Sequence, residues 1–416
     1  MKITLLSTSD TYGGAPIACL RLSKALQKQG VDANLLVQEK RSQDPAITTI
    51  ASSFWQQKAA FLRFAWDRLT FLPYEKSKQV RFAFSTAQVG TSLVNQPLIQ
   101  QADLLHMHWI NFGFLSLDSI RELGRLGKPI VWTLHDMWAL TGGCHYSGTC
   151  NHYQSHCHDC PFLRNPQPSD LSYRGFEQKQ ALYAQTTMTL VACSEWLANL
   201  ARQSALTRHF DIRAIPNPID TQLYQPINRQ KARLALGLPL DKKLLLFGAM
   251  NTRDVRKGFT YLVEALGKLK KHELAAELVV FGKADEATLA QLPFKVHYLG
   301  SISQPEKLVQ AYNSADVFVL PSLEDNLPNT VMESLACGTP AVAFRQGGLP
   351  EMIDHQQNGY LAEYQSAKDL ASGIAWVLEQ ADVEATRQRA REKVMKQYTE
   401  AIVAAKYQQL YEEVSR

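Results

Sequence analysis

The chain has 416 residues, of which 45% are hydrophobic and 20% are charged, and it contains no low-complexity tract. A chain of this length is too long for one ordinary hydrophobic core, so we expect two domains. We find no apolar run of 18 or more residues and no basic-then-apolar leader. This argues against a membrane-spanning helix and predicts a soluble, cytoplasmic protein.

The formal net charge of +5 comes from the first half of the chain, because residues 1–205 hold 19 Lys and Arg against 14 Asp and Glu, whereas residues 206–416 hold 25 of each. Within the first half, Phe54–Arg81 combines six basic, seven aromatic and two acidic residues. This composition suits an anionic membrane surface or a lipid-phosphate acceptor. The alternative, which we favour, is a partly buried amphipathic helix with snorkelling Lys and Arg. We expect no nucleic-acid partner, since the charge is local and no nucleic-acid-binding motif accompanies it.

Strand-like runs alternate with helical patterns along almost the whole chain, which predicts parallel sheets covered by helices on both faces. The predicted strands of the first half are Ile3–Ser7, Asp103–Trp109, Pro129–Leu134 and Thr189–Cys193. Those of the second half are Lys243–Phe247, Glu277–Phe281, Val296–Leu299, Asp316–Leu320 and Ala341–Phe344. The expected fold class is α/β, with two doubly wound, Rossmann-like domains that face each other across a cleft.

Two prolines in the segment Ala214–Asp220 disfavour a helix and mark the connection between the domains. We therefore expect an N-terminal domain at residues 1–213 and a C-terminal domain at residues 214–399. The N-terminal domain would contain the basic aromatic segment (54–81) and a cysteine-rich insertion (144–160).

The loop after the first predicted strand contains Gly13 and Gly14 and opens a helix. Paired glycines allow a ligand to approach the backbone, and a helix N-terminus favours anions. The G-x-G-x-x-G dinucleotide fingerprint is absent. An ordinary strand-to-helix turn remains the alternative.

Histidines end two predicted strands of the first domain, with His106 and His108 on one and His135, followed by Asp136, on the next. Active-site residues collect at the carboxyl ends of such strands. We expect His106 to be a core residue and His135 to be the stronger catalytic candidate.

Four cysteines follow within 17 residues at the spacing C-x5-C-x6-C-x2-C, namely Cys144, Cys150, Cys157 and Cys160. In a cytoplasmic chain this pattern favours a closed tetrahedral zinc site over disulfides. Reduced free thiols and a redox pair are the alternatives. Nothing in the pattern argues for the open coordination position of a catalytic zinc.

The second domain opens with a basic loop that carries Arg253, Arg256 and Lys257 and ends at Gly258, before a helix from about Phe259. Three cations at a helix N-terminus suit a diphosphate, because Arg grips oxygens with a fork and Lys acts as a point charge. A solvated basic loop partly paired with an acidic neighbour is the alternative.

The segment from Ser322 to Pro340 places Glu324 and Asp325 in a turn after a predicted strand and Glu333 on the following helix. Pro328 suits the first turn of that helix, and a glycine and a proline after it predict its end. Carboxylates at this edge of a sheet can accept hydrogen bonds from the vicinal diol of a ribose or a hexose. A solvated acidic turn is the alternative.

The chain resembles the family 4 retaining glycosyltransferases of GT-B fold, especially the bacterial exopolysaccharide (colanic-acid-type) subgroup. The resemblance runs nearly end to end. Its motifs are YGGA at 12–15, HMHWINFGF at 106–114, WTLHDMWALTGGCHY at 132–146, IPNPID at 215–220, GAMNTRDVRKGF at 248–259, LGSI at 299–302, ADVFVLPSLEDNLPNTVMESLACGTPAVAF at 315–344, GGLPEMI at 347–353 and NGYLA at 358–362.

The resemblance implies a hexosyltransferase that moves a sugar from a UDP- or GDP-sugar to a glycan or polyprenyl-linked acceptor in polysaccharide biosynthesis, without a catalytic cofactor. It also implies a tail helix at about 400–416 that packs on the first domain. The basic aromatic segment (54–81) is the feature that would allow peripheral contact with the inner face of the cytoplasmic membrane. A nucleotide-sugar epimerase and a non-catalytic nucleotide-sugar-binding subunit are the rival functions.

The resemblance also implies roles for individual residues. Lys257 would bind the donor diphosphate with Arg253, and Glu333 would hold the ribose. Because the chain reads D-x7-E where the family has E-x7-E, either Asp325 or Glu324 would contact the donor sugar. The remaining predicted residues are His135, which would polarise the substrate, and the donor-site residues Gly13, Gly14, Arg256, Gly258, Asn326 and Leu327.

Overall fold

The computed structural model describes residues 1–251, 254–271, 275–380 and 382–416. The chain divides into two compact units, one formed by Met1–Asn217 with Val403–Arg416 and the other by Pro218–Ile402. The division therefore falls after Asn217, within the proline-containing segment, and the C-terminal tail belongs to the first unit.

The first unit is built on a parallel sheet of seven strands among the described residues, in the order β3-β2-β1-β4-β5-β6-β7. Its strands are β1 (Lys2–Ser9), β2 (Asp32–Glu39), β3 (Ile47–Thr49), β4 (Leu104–Met107), β5 (Ile130–Leu134), β6 (Thr189–Ala192) and β7 (Asp211–Ala214). Its helices before the division are α1 (Gly14–Lys28), α2 (Phe54–Phe71), α3 (Pro97–Gln101), α4 (Leu117–Gly124), α5 (Leu171–Tyr183) and α6 (Glu195–Gln203).

The second unit is built on a parallel sheet whose six described strands have the order β10-β9-β8-β11-β12-β13. These strands are β8 (Lys243–Asn251), β9 (Ala276–Lys283), β10 (Val296–Tyr298), β11 (Val317–Leu320), β12 (Ala341–Phe344) and β13 (Gly359–Ala362). The helices are α7 (Arg229–Ala235), α8 (Phe259–Lys271), α9 (Glu286–Leu289), α10 (Pro305–Ser314), α11 (Asn329–Ala336), α12 (Leu349–Met352), α13 (Ala367–Ala375), α14 (Val383–Gln397) and, leading into the tail, α15 (Glu400–Val414).

Both sheets reverse their strand order near the middle. The switch lies between β1 and β4 in the first unit and between β8 and β11 in the second. In parallel α/β sheets, ligands bind beyond the carboxyl ends of the strands at such a switch point. The central strands are buried on both faces, because every residue of β4, β5, β11 and β12 is buried. The prediction of two parallel-sheet α/β domains is confirmed.

The tail helix α15 is part of the core of the first unit. Its side chains Val403, Tyr407 and Tyr411 pack in one buried cluster with residues of β1 and α1. Tyr411 Oη lies 2.7 Å from His106 Nδ1, and Tyr407 Oη lies 2.8 Å from Thr133 Oγ1. The tail is therefore held by apolar burial and by hydrogen bonds to the middle of the sheet.

Candidate active site

The loops that follow β8 and β11 meet at the switch point of the second unit. Gly258 lies at the N-terminus of α8 with φ +65°, and a Cβ atom built there would lie 1.8 Å from the carbonyl oxygen of Pro321. Leu323 N donates to Arg256 O at 2.7 Å. The two loops thus touch through their backbones, and glycine is needed both for the left-handed conformation and for the close approach.

A side-chain contact between Lys257 and Asp325 joins the two loops. Lys257 Nζ donates to Asp325 Oδ2 at 2.6 Å, and both side chains are half-buried. The structure therefore brings together the cation expected to bind phosphate and one of the two acids expected to contact the donor sugar. Glu324 lies one residue earlier and is half-buried.

The loop after β12 supports this turn from a third side. Gly347 has φ +58°, and a Cβ atom there would lie 1.9 Å from Asp325 O. Gln346 Nε2 donates to Ser322 O at 3.2 Å. The loops after β8 and β12 thus contact the loop after β11 from its two sides in the sheet order. These contacts fix the backbone around Asp325 and position its carboxylate.

Ser322 is a residue of this site that the sequence analysis did not single out. Its Oγ is buried, and it has no hydrogen-bond partner among the described residues. Buried hydroxyls are normally satisfied, so an orphan at a strand end is a group that a ligand can engage. The sequence signal that could have identified Ser322 is its position directly after Pro321, at the carboxyl end of β11.

Glu333 lies on α11 rather than in the loops. It is buried, and Tyr312 Oη donates to Glu333 Oε2 at 2.8 Å. Asn326 and Leu327 are also buried, at the entrance to the same helix. Pro328 is the residue that precedes the first turn of α11, and Gly338, with φ +71°, follows its end. The expected limits of this helix agree with the structure to within a residue.

The other two predicted phosphate ligands are Arg256, whose contacts the structure describes, and Arg253, which it does not describe. Arg256 forms a partly exposed ion pair with Asp254 at 2.7 Å, as the alternative interpretation of this loop expects. Arg253 lies outside the described residues, so its predicted role stays a prediction.

In the first unit, Gly13 precedes α1 with φ +106°, and no side-chain hydrogen bond caps the helix there. Gly14 is the first helical residue. The preceding Asp10, which the sequence analysis did not single out, is buried and accepts hydrogen bonds from Arg41 N at 3.0 Å and Ser42 N at 2.9 Å. These contacts fix the loop that leads into α1.

Three histidines lie side by side at the ends of β4 and β5. His106 is fully buried and bonded to Tyr411 and Thr133, as expected for a core residue. His108 Nδ1 lies 3.0 Å from His135 Nε2, and Cys193 Sγ lies 3.5 Å from His135 Nδ1. Desolvation lowers the pKa of His135 to about 4 and that of His106 to about 3. Both rings are therefore neutral at neutral pH.

Asp136 is engaged with a histidine other than its sequence neighbour. Its Oδ2 lies 2.8 Å from His145 Nδ1, and its Oδ1 accepts from Trp138 N at 2.8 Å. His145 Nε2 lies 2.9 Å from Ser85 Oγ, to which Arg68 also donates at 3.1 Å. The sequence analysis missed this network, whose members are far apart in the chain. All of them are buried, so the network joins segments of the fold rather than meeting substrate.

The four cysteines of the insertion line one pocket together with His152 and His158. All four are free thiols, and Cys150 is the most exposed. Burial raises the pKa of Cys157 to about 11 and that of Cys160 to about 12. The four thiols thus share one pocket, and their role stays a prediction.

Helix α2 exposes four of its six aromatic side chains, whereas Phe64 is half-buried and Phe71 is buried. The exposed fraction is 62% for Phe54, 78% for Trp55, 63% for Phe61 and 62% for Trp66. Its buried face instead includes Asp67 and Arg68, which form an ion pair. The buried part of this helix is thus small, and most of its aromatic side chains are exposed.

Comparisons with known proteins identify relatives of this chain. It is 32% identical over 182 residues to N,N'-diacetylbacillosaminyl-diphospho-undecaprenol alpha-1,3-N-acetylgalactosaminyltransferase of Campylobacter jejuni, covering 42% of this chain and 46% of that protein. It is 26% identical over 273 residues to the putative colanic acid biosynthesis glycosyl transferase WcaC of Escherichia coli, covering 62% of each. The chain thus spans about half to three-fifths of the length of these curated relatives.

Solved structures share the fold. Anabaena Alr3699/HepE in complex with UDP and glucose superimposes with a TM-score of 0.65 at 17% identity, covering 100% of this chain and 99% of that one. The GT-B fold expected from the sequence is therefore confirmed. The model of the glycosyl transferases group 1 matches residues 241–380, and the model of Glycosyltransferase Family 4 matches residues 12–223, half of the chain. The chain belongs to Glycosyltransferase Family 4.

Proposed function

We propose that this protein is a retaining glycosyltransferase that moves a hexose from a nucleotide-diphosphate sugar to a glycan or polyprenyl-linked acceptor in cell-surface polysaccharide biosynthesis. The observation that carries the proposal is the contact between Lys257 and Asp325 at the switch point of the second unit. A phosphate-binding cation and a hydroxyl-binding carboxylate side by side match the two ends of a donor in which a sugar is joined to a diphosphate.

The donor is assigned to the second unit. Lys257, Arg256 and Arg253 with the N-terminus of α8 bind the diphosphate, because a helix N-terminus adds backbone donors and a favourable dipole. Glu333, held by Tyr312, accepts from the ribose hydroxyls, and Asp325 with Glu324, Asn326 and Leu327 contacts the sugar. The complex of HepE with UDP and glucose supports UDP as the first nucleotide to test, with GDP as the second.

Catalysis in this proposal is mainly electrostatic. Negative charge develops on the diphosphate as the glycosidic bond breaks, and Lys257 and the start of α8 are placed to stabilise it. Removing one such preorganised group typically lowers the rate by about 10²–10³-fold. Retention follows when the acceptor attacks from the leaving-group face and the diphosphate takes its proton. The assigned chemistry uses no metal.

His135 is assigned a positioning role. With a pKa of about 4 the ring is a weak base at neutral pH, so it is poorly suited to remove a proton from the acceptor. A neutral ring can still orient a hydroxyl or a phosphate oxygen by a hydrogen bond. Gly13 and Gly14, at the start of α1, are assigned to the approach of an anionic group to the backbone.

The outer face of α2 is assigned to a membrane surface. This face, which we call the aromatic face, consists of Phe54, Trp55, Phe61, Leu62, Trp66 and Leu69, all exposed. Lys58 on this helix and Lys76 and Lys78 in the segment that follows it are exposed, whereas the two acids of the segment 54–81 are buried and paired with arginines. No helix in the described ranges is both long and apolar enough to cross a membrane.

Aromatic and aliphatic side chains beside uncompensated lysines are the composition that binds an anionic bilayer interface. We therefore place the protein at the cytoplasmic face of the membrane as a peripheral protein. A polyprenyl-linked acceptor resides in the same membrane, which supports that class of acceptor.

The decisive experiment is a transfer assay with purified protein, a panel of UDP- and GDP-sugars and membrane-extracted acceptors. Lys257→Ala should abolish most transfer, whereas Lys268→Ala, on the following helix α8 and paired with Glu264, should leave it unchanged. Normal transfer by Lys257→Ala at saturating donor would disprove the assignment. An epimerised donor formed without acceptor would show an epimerase, and donor-induced thermal stabilisation without turnover would show a binding subunit.

A further inference from the structure

The cysteine-rich insertion contains a cluster of side chains that the proposed reaction does not use. Cys144, Cys157 and Cys160 are buried and Cys150 is half-buried, and all four face one pocket with His152 and His158. Their sulfur atoms come from positions spread over 17 residues of a loop, so the fold itself gathers them.

Backbone groups point at two of the sulfur atoms. Gly142 N donates to Cys157 Sγ at 3.2 Å, and the backbone N–H of Phe162 donates to the sulfur of Cys160, two residues earlier in the chain. Amide donors to sulfur stabilise a thiolate more than a thiol, because the hydrogen bond to a charged acceptor is stronger. The donor pattern suits thiolates, which is the form that binds metal.

A buried lysine lies beside the same loop. Lys179 is 1% exposed, and its Nζ donates to the carbonyl oxygens of Trp138 and Thr141 and lies 3.5 Å from the centre of the Trp138 ring. These contacts join α5 to the backbone that leads into the cysteine-rich insertion.

The backbone around the cluster is fixed by close contacts. A Cβ atom at Gly142 would lie 2.1 Å from Ser172 O, and one at Gly175 would lie 2.1 Å from Gly142 O. Asp170 caps α5 and also accepts from Cys160 N at 2.8 Å. Between β5 and α5, however, the regular structure consists of two short 3-10 turns, at Trp138–Leu140 and His152–Gln154. Because so little of this segment is regular secondary structure, a metal cross-link would add to its stability.

We propose that Cys144, Cys150, Cys157 and Cys160 bind one structural zinc ion as four thiolates. The occupied site carries a net charge of about −2, and binding releases the four thiol protons. Among the described residues, no three His, Cys, Asp or Glu side chains are arranged as a formed metal site. Binding therefore requires the thiols to turn toward the centre of the pocket they line.

The experiment is metal analysis of the full chain, purified under reducing conditions from zinc-supplemented cells. We expect one zinc per chain, and replacement by Co²⁺ should give the sulfur-to-cobalt charge-transfer band and the tetrahedral d–d bands of a four-thiolate site. Less than a tenth of an equivalent of zinc, or iron in its place, would overturn the proposal. Cobalt spectra of a site with fewer than four sulfur ligands would overturn the four-cysteine assignment.

Variants separate binding from folding. Cys157→Ser and Cys160→Ser should lose at least nine-tenths of the zinc, and Cys150→Ser, which alters the most exposed ligand, should do so while still folding. Cys19→Ala, a buried cysteine of α1 outside the cluster, should keep one zinc per chain. Chelation of the wild-type protein should lower its melting temperature, and added Zn²⁺ should restore it. Full zinc content in Cys150→Ser would contradict the assignment.

Discussion

Lys257 Nζ and Asp325 Oδ2 lie 2.6 Å apart, although 68 residues separate them in the chain. The contact joins the loop after β8 to the loop after β11 and so defines one site at the switch point of the second sheet. It also bears on the irregular D-x7-E spacing, because the acid at the first position of that spacing is the one that meets the lysine. The position of each of these two side chains therefore depends on the other.

This dependence predicts strong coupling between the two side chains. Lys257→Met should lower kcat/KM by about 10²–10³-fold, and Asp325→Asn should also lower it. The double variant should lose less than the two single losses combined, with a coupling of about 0.5–3 kcal/mol. Steady-state kinetics over a range of donor concentrations should be measured for the wild type, the two single variants and the double variant. Additive losses would mean that the two residues act independently.

The close approach of the two loops predicts that Gly258 tolerates no side chain. Gly258→Ala would put a Cβ atom 1.8 Å from Pro321 O, so the loops must separate. We expect a loss of stability of more than about 2 kcal/mol. Gly237 has the same φ of +65° but nothing within 4 Å of the added carbon, so Gly237→Ala should cost only about 1 kcal/mol. Urea unfolding measures both, and equal losses would contradict the role of the contact.

Tyr312 should act through Glu333. Tyr312→Phe removes the hydrogen bond that holds the Glu333 carboxylate, so KM for the donor should rise by about 3- to 10-fold with little change in kcat, since one hydrogen bond contributes about 1 kcal/mol. Tyr398→Phe is the matched control, because its buried hydroxyl donates to Glu351 O at 3.0 Å. A similar change of KM in both variants would indicate a general effect on stability.

The aromatic face of α2 should bind anionic vesicles. Replacing Trp55 and Trp66 by serine removes two exposed side chains and should weaken binding at least ten-fold, because burying a large apolar side chain contributes about 1.5–3 kcal/mol. Co-sedimentation with vesicles that contain phosphatidylglycerol measures the effect, and added salt should weaken it. Leu234→Ser, an exposed apolar residue of α7, serves as the control. Binding that is unaffected by the double substitution would place the membrane contact elsewhere.

The buried His106 predicts how stability depends on pH. Desolvation lowers its pKa in the folded protein to about 3, whereas the unfolded chain has the ordinary value of 6.5. As the pH falls below 6.5 the unfolded state takes up the proton and the folded state does not, so stability should fall by about 1.4 kcal/mol per pH unit until the pH nears 3. Above pH 6.5 this contribution is fully present.

Urea unfolding between pH 7.5 and 4.5 measures that slope. His108 and His135 lie next to His106, and Tyr407 and Tyr411 face it from α15. The two neighbouring histidines also have lowered pKa values and contribute in the same direction. His106→Gln should therefore reduce the slope without removing it, and the exposed His209→Gln should keep the wild-type slope. An unchanged slope in His106→Gln would contradict the prediction.

The sequence by itself determined the alternation of strands and helices, the two-domain α/β architecture and the limits of α11, because apolar runs, helix caps and prolines act on their near neighbours. It also placed the basic loop before α8 and the acidic turn after β11 at strand ends, where sites form in such sheets. Strands β2, β3, β7 and β13 were not predicted; three of them form the edges of the sheets, where one-sided pairing gives a weaker pattern.

Only the tertiary structure decided which acid meets Lys257, that Asp136 contacts His145, and that α2 turns most of its aromatic side chains outward. Each outcome depends on residues distant in the chain. Periodicity shows that a helix has two faces, but it cannot show which face the fold buries when buried ion pairs such as Asp67 with Arg68 stabilise the polar one. Those contacts exist only once the sheets and loops are assembled.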